Sequence, residues 1–408
     1  MGVFHSREKG IPTAPWDVIF NDPSTRTTDH RAFLDLKYDR ELGDRLDLSA
    51  HLYYDHYRYD GDYAYWQDPD RRWNRVLQKD YARGEMAGAD VQLTKRWLEN
   101  HKLLLGSEYR GSFRQDQGTY DNHPYRLLMK ERRDAYNWAV YLQDEYRIFS
   151  NLLLNAGVRY DQYETFGGST NPRLALIFNP IEKSALKLIY GQAFRAPNSY
   201  ELFYTDRINQ KANPDLDPEN MTTYELVWEQ RLTDRLRLSA TGYYYEIEDL
   251  ISLTRMPNGF LMFKNVENVQ AKGLEFELDS RWPGGIEGRV SYCLQRTEDE
   301  RSGNVLPNSP KQMVKLNVLC PLIQHKLTAG TELQYLSPRR TLRDNKTQDA
   351  LIANLTFHAP NVVKGLDVSA GVYNLLDQDY GDPGSAEHLQ DIIQQNGINF
   401  RLKITYSF

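Results

Sequence analysis

The chain has 408 residues, with 50 Lys and Arg against 56 Asp and Glu, a formal net charge of −6 and a mean hydropathy of −0.68. That balance leaves no basic footprint for nucleic acid, and without a run of about 18 apolar residues there is no membrane-crossing helix. Neither property excludes a membrane crossed by strands, because a barrel strand turns half of its residues to a watery lumen.

The 28 Tyr and 7 Trp favour that solution, since amphipathic rings concentrate at membrane–water interfaces. The N-terminal MGVFHSREKG contains no apolar signal segment. Residues 1–28, rich in Pro, Asp, Thr and Arg, show no alternation and read as an extracellular loop, leaving residues 29–408 for a barrel. From Asp29 onward one plan repeats: a strand, a tight turn, a returning strand and a longer polar loop. Leu46, Leu48, Ala50, Leu52 and Tyr54 alternate with Arg45, Asp47, Ser49, His51 and Tyr53. Leu152, Leu154, Ala156, Val158 and Tyr160, and later Leu327, Ala329, Thr331, Leu333 and Tyr335, repeat the pattern. Each apolar row ends on a Tyr, which places a ring at one membrane interface. The helical spacing of 3.6 is missing from these segments, so the chain reads as all-β.

Short turns fall near Leu42–Asp44, Phe149–Ser150, Pro180–Lys183, Thr233–Asp234, Pro283–Gly285 and Val363–Lys364. Long connections span roughly Gly61–Gln78, Asp116–Arg133, Ala196–Asn220, Ser252–Lys264, Glu298–Asn308 and Gly381–Gly397. Short turns at one end and long loops at the other are the asymmetry of a barrel set in the outer membrane of a Gram-negative bacterium. The last strand agrees: Phe400, Leu402, Ile404, Tyr406 and Phe408 form one apolar face, opposite Asn399, Arg401, Lys403, Thr405 and Ser407. It is similar to the terminal strand of bacterial outer-membrane barrels, whose closing aromatic is read by the insertion machinery. About 17 strands are expected, an odd number where single-chain bacterial barrels are even, so the reading expects strands missing from the front.

Three further stretches carry a family resemblance. GQAFRAPNSYELFY (191–204) holds Phe194, Arg195, Ala196, Pro197, Glu201 and Leu202; NPDLDPENMTTYEL (213–226) holds Asn213, Pro214, Pro218, Glu219, Tyr224 and Glu225; VYNLLDQDY (372–380) holds Asn374, Leu375, Asp377 and Tyr380. In this order and ahead of the terminal strand, they resemble the FRAP-x-x-x-E-L, NP-x-L-x-PE and NL-x-D-x-x-Y segments of TonB-dependent outer-membrane receptors. The resemblance implies a barrel of about 22 strands plugged by an N-terminal domain. It also implies uptake of a siderophore, cobalamin or similar scarce ligand, driven through the TonB complex. With about 17 strands, a plug and about five strands are expected to be absent, giving a truncated or split receptor. The motif residues themselves read as structural: Pro197 suits a strand exit, and Pro214 and Pro218 with Asp215 and Asp217 read as turn chemistry.

The sequence presents no catalytic constellation: the nine His are scattered, and neither G-x-S-x-G, H-E-x-x-H nor a P-loop occurs. Neither enzyme activity nor a cofactor is expected. Cys293 and Cys320 have opposite facing and no zinc spacing exists. Lumen-facing Glu225, Glu229, Glu275, Glu277 and Glu332, interleaved with Arg159, Arg237 and Arg401, suit a water-filled or plugged interior. A small chelate or macrocycle ligand would meet the extracellular loops, where Tyr63, Tyr65, Trp66 and Trp73 form an aromatic cluster; interface anchoring suits the same rings equally. A passive porin-like channel and a soluble all-β binding protein are the alternative functions. Outer-membrane lipid and the insertion machinery are the expected partners, with the TonB complex only if a plug is supplied.

Overall fold

The computed structural model describes residues 2–12, 15–68, 73–206 and 209–407. Apart from one short helix, Ser199–Phe203, its regular structure is strand. The main sheet holds 20 strands, of which Arg126–Glu131 and Gln210–Lys211 are short additions at the loop end. The other 18 form the wall, running from Gly2–Gly10 at one edge to Asn399–Tyr406 at the other. Each wall strand is antiparallel to its predecessor. Such a wall lets the backbone satisfy its own hydrogen bonds in lipid, where no water can substitute.

The expected 17 strands correspond to the wall from Arg26–Gly43 onward, and the additional one is Gly2–Gly10, inside the stretch expected to be loop. Its nine residues pair fully with Arg26–Leu34 of the next strand. Beyond Val3 and Phe4 it carries His, Ser, Arg, Glu and Lys, so there was no apolar row to betray it. The irregular connection then occupies residues 11–25, and the barrel wall begins before Asp29.

The expected long loops are also shorter than read. Leu46–Asp68 and Trp73–Trp97 are strands of 23 and 25 residues, and His101–Asp121 continues the ladder for another 21. A crossing needs only about 9–11 residues, so these hairpins stand far above the membrane. Both faces are wet there, and alternation disappears from the sequence although the ladder continues.

The height of the membrane is marked by outward-facing rings. Tyr54 stacks on Phe113 (centroids 6.3 Å apart), Tyr109 on Tyr136 (6.5 Å), and Trp138 meets Tyr160 (5.6 Å). Further round, Tyr224 touches Tyr190 at 5.3 Å and Tyr244 at 6.3 Å. Below this girdle the outward rows are Leu, Val and Phe and remain exposed, as lipid contact demands. Phe400, Leu402, Ile404 and Tyr406 belong to this exposed face; Phe408 lies outside the described residues.

The two edge strands are not paired with each other among the described residues, yet the sheet curves far enough for its first and last loops to meet. Trp16 N donates to Glu387 O at 2.8 Å beside a bridge between Pro15 and His388. Leu202, Leu216 and Ile251, with Phe203 and Phe263 packed against them, form a small apolar cluster at the root of residues 196–206, which fold inward across the lumen.

Candidate ligand-binding cavity

Above the ring girdle, the inner faces of three neighbouring strands meet the inward-folded segment around a cavity of about 1130 Å³. Strand register builds its wall. Gly61 stands opposite Asp80, and Asp80 opposite Thr119; Tyr63 stands opposite Gln78, and Gln78 opposite Asp121. Gly61 is required in this position: a Cβ there would lie 2.6 Å from the Tyr59 hydroxyl and 2.7 Å from the Tyr63 ring. The gap it leaves lets the Tyr59 and Tyr63 hydroxyls hydrogen-bond across it. Tyr65 donates to Asp121, which also accepts from Arg126 Nε at 3.0 Å.

The facing side comes from residues 196–206 and 209–210. Its root is Arg195, at the end of strand Ser184–Arg195. Arg195 Nε and Nη2 donate to Glu219 at 2.7 Å each, and Nη1 donates to both Glu201 oxygens at 3.0 and 2.9 Å. Glu201 also accepts from Asn198 N at 2.9 Å, while Asn198 Oδ1 accepts from the amides of Tyr200 and Glu201, a reciprocal cap on the short helix. So anchored, the helix and the residues after it cross the lumen: Ser199 Oγ donates to Gln115 (2.7 Å), Tyr204 OH to Asp80 Oδ2 (2.9 Å), and Tyr200 OH to Gln210 Oε1 (3.1 Å). From the first loop, Trp16, Asp17 and Val18 cover part of the cavity. Trp16 presents its edge to Tyr63, centroids 5.8 Å apart, and Ile19 N donates to Ala64 O at 2.8 Å.

Seven tyrosines therefore line one cavity: Tyr57, Tyr59, Tyr63, Tyr65, Tyr81, Tyr200 and Tyr204. Burial pushes the Tyr63 hydroxyl up to about 12. The carboxyl of Asp80 is pushed up to about 7, chiefly by burial; Tyr204 draws it down and the nearby charge of Asp206 draws it up. Asp80 Oδ1, Gln117 Oε1 and Gln210 Nε2 are buried polar atoms without a hydrogen-bond partner among the described residues.

Of the residues expected from sequence, Tyr63, Tyr65 and Trp66 line the cavity, on strand rather than loop. Trp73 does not; it sits opposite Asp68 at the hairpin's tip, 67% exposed. Trp16, Tyr59, Asp80, Tyr200, Tyr204 and Gln210 were not singled out. A period of two was visible in Tyr57, Tyr59, Tyr63 and Tyr65, but the partners across the lumen are over 100 residues away and leave no local signal.

The family motifs mostly lie at connections. Asn213 Nδ2 donates to Phe263 O (2.8 Å), and Pro214 and Pro218 bracket the approach to strand Glu219–Thr233. Tyr224 is in the girdle, while Glu225 is on the inner parity. Asn374, with φ +49°, donates to Gln378 O (2.9 Å) and Asn396 O (3.2 Å), and Asp377 accepts from Ile398 N (2.7 Å). Leu375 is exposed, and Tyr380 O accepts from Gln395 N at 2.9 Å.

Residues 5–375 match the family model described as TonB dependent receptor-like, beta-barrel. The vitamin B12 transporter BtuB of Vibrio cholerae is 29% identical over 234 residues, covering 56% of this chain and 36% of that protein. The heme/hemopexin utilization protein C of Haemophilus influenzae is 24% identical over 390 residues, covering 82% and 53%. The chain thus spans about a third to a half of these curated relatives' length. Among solved structures, the pyoverdine outer membrane receptor FpvA of Pseudomonas aeruginosa bound to pyoverdine superposes with a TM-score of 0.78 at 15% identity, covering all of this chain and 68% of that one.

Proposed function

Because the chain belongs to the TonB-dependent receptor-like β-barrel family, we propose that it is an outer-membrane receptor barrel that captures a small chelate or macrocycle in the cavity above the girdle. The observation that carries this reading is the cavity itself: about 1130 Å³, walled by seven Tyr and partly covered by Trp16 and by residues 198–206 and 209–210. Ligand sites are concave, largely aromatic or apolar, and carry a few placed polar groups; most measure about 300–1,000 Å³, so this one suits a large ligand. Rigid rings supply contact area at low entropic cost. The relatives support the ligand classes proposed: vitamin B12, heme and pyoverdine stand in their names. Outer-membrane lipid faces the exposed rows below the girdle, and the insertion machinery reads the terminal strand. Energised release through the TonB complex is proposed for the whole protein.

The test is titration of the detergent-purified chain with cyanocobalamin, haemin and a ferric siderophore, read by quenching of Trp16 and Trp66. Saturable quenching by one of them, weakened in Tyr200→Ala, is the expected result. Quenching that is identical in wild type and Tyr200→Ala rejects the cavity as the site.

A passive channel is the second reading, favoured by residues 198–206, which lie across the lumen as a constricting loop does. A steady, reproducible conductance from this chain in a planar bilayer would favour it; silence favours the receptor.

A further inference from the structure

We propose that the outer wall of the barrel carries a site for one phosphate-bearing lipid of the outer leaflet. The phosphate rests on Lys272 and Arg296, and an acyl chain lies along the outer face of strand Leu236–Arg255, over Gly242 and Ala240. The inference is independent of the ligand cavity and rests only on the barrel meeting lipid below the girdle.

Register builds a trough. From the girdle downward, the outer face of Leu236–Arg255 reads Tyr244, Gly242, Ala240 and Leu238, because successive side chains alternate across the sheet. Taller residues flank the two small ones. Leu226 and Trp228 stand opposite Gly242 and Ala240 on strand Glu219–Thr233, and Leu274 and Phe276 stand opposite them on strand Leu261–Arg281. All four are exposed, so they form two ridges with the small residues between them. Strands lie about 4.8 Å apart, which sets the ridges about 10 Å apart and leaves room for one hydrocarbon chain. The upper part of the trough is a shallow hollow of about 690 Å³, bounded by Leu226, Leu274 and Leu294 and reaching up to Tyr224, Tyr244 and Lys272. Glycine inside a strand weakens it and packs nothing itself; it marks a place where another group comes close.

At the top of the trough the girdle changes chemistry. The ring row Tyr190, Tyr224 and Tyr244 continues on the next two strands as Lys272, opposite Tyr244, and Arg296, opposite Lys272. Two like charges directly opposite each other work against strand pairing, and an anion held between them removes that cost. Lys311 lines the same hollow from just before strand Gln312–Ile323. The nearby acids lie one row further from the membrane and are engaged there: Glu246 accepts from Tyr244 OH, and Glu298 accepts from Arg296 Nε. Cations at headgroup height attract an anionic headgroup, and the apolar trough directly below them takes a chain. A free phosphate would use the cations and leave the trough empty, whereas a lipid uses both.

The experiment reconstitutes the chain in phosphatidylcholine vesicles containing a small fraction of lipid A, extracts it in mild detergent, and counts retained lipid by native mass spectrometry. Wild type is expected to retain lipid A in preference to phosphatidylcholine. Lys272→Gln is expected to lower that retention about fivefold, the contribution of one basic residue at an anionic surface. Gly242→Leu fills the trough without altering charge and is expected to lower retention several-fold, which separates a seated chain from electrostatic attraction alone. Heat-modified gel mobility checks that each variant is folded, and if Gly242→Leu is not, Ala240→Leu serves in its place. Absence of retained lipid A in wild type, a preference for phosphatidylcholine, or displacement of lipid A by inorganic phosphate overturns the proposal. So does retention that falls in Lys272→Gln but is untouched by filling the trough.

Discussion

The Arg195 hub anchors one side of the cavity, so its removal should loosen that side, together with the Ile251 amide that shares Glu219. Arg195→Met keeps much of the side chain's bulk and removes four hydrogen bonds of 2.7–3.0 Å, leaving Glu201 and Glu219 with side chains only 10% and 12% exposed and without their cation. Breaking a buried ion pair from one side costs about 3–5 kcal/mol. Arg195 itself is 42% exposed, so water screens part of that loss and about 2 kcal/mol is the appropriate figure. At about 1.36 kcal/mol per tenfold, the open population of the segment rises about 30-fold. Hydrogen exchange reads this directly: the amides of Leu202 and Tyr204, which donate to Asn198 O and Tyr200 O at 3.0 and 3.1 Å, should exchange about 30-fold faster. The amides of the wall strand Leu327–Leu336 should not change. Unchanged exchange at Leu202 and Tyr204 would refute the hub, and faster exchange throughout the wall would show that Arg195 supports the barrel instead.

Three further outcomes follow from other parts of the molecule. Gly106→Ala puts a Cβ 2.1 Å from the ring of Tyr141, which packs over that glycine from the next strand; a loss of about 1–3 kcal/mol should appear as a lower urea midpoint for unfolding from lipid vesicles. Leu105→Arg turns a charge to lipid from the exposed face of His101–Asp121, and should lower stability in vesicles by about 2–4 kcal/mol if it sits at mid-bilayer, whereas the lumen-parity change Gln143→Lys should have little effect. The raised carboxyl of Asp80 sets a pH dependence with a definite sign. Between its ordinary value of 3.8 and about 7 the folded state holds a proton that the unfolded chain has released. Stability therefore falls as pH rises through that window, on the order of 1 kcal/mol per unit, and melting followed by heat-modified gel mobility should be flatter in Asp80→Asn.

The barrel was legible in the sequence because lipid enforces a strict rule. Wherever a strand crosses the bilayer, as at Leu46–Tyr54 or Phe400–Tyr406, one parity must be apolar and the other polar, and the chain records it residue by residue. The rule lapses outside the bilayer. Gly2–Gly10 and the upper parts of Leu46–Asp68 and Trp73–Trp97 are held by ladders of the same kind, but water on both faces removes the constraint on which residues alternate. They read as loop for that reason. Trp73 misled similarly: its proximity in sequence to Trp66 says nothing about facing, and the hairpin's tip carries it away from the cavity that Trp66 lines.

The same physics explains why the site itself stayed hidden. Its near wall was half visible as tyrosines spaced by two, but its chemistry depends on what crosses the lumen to meet them. Tyr204 reaches Asp80 over 124 residues of sequence and Ser199 reaches Gln115 over 84. Neither contact has a local signature. What the sequence did hold was the root of that crossing, the motif Arg195 to Glu201, read there as structural. The geometry gives that structural role a consequence for the cavity: Arg195 clamps Glu201 and Glu219, the clamp fixes the cap at Asn198, and the capped helix sets Tyr200 against Gln210 and Tyr204 against Asp80. The motif thereby sets the position of groups that line the cavity. Substitution of Arg195 should accordingly raise the mobility of the segment and weaken every ligand of the proposed site alike, because it loosens the tyrosines together rather than removing one of them.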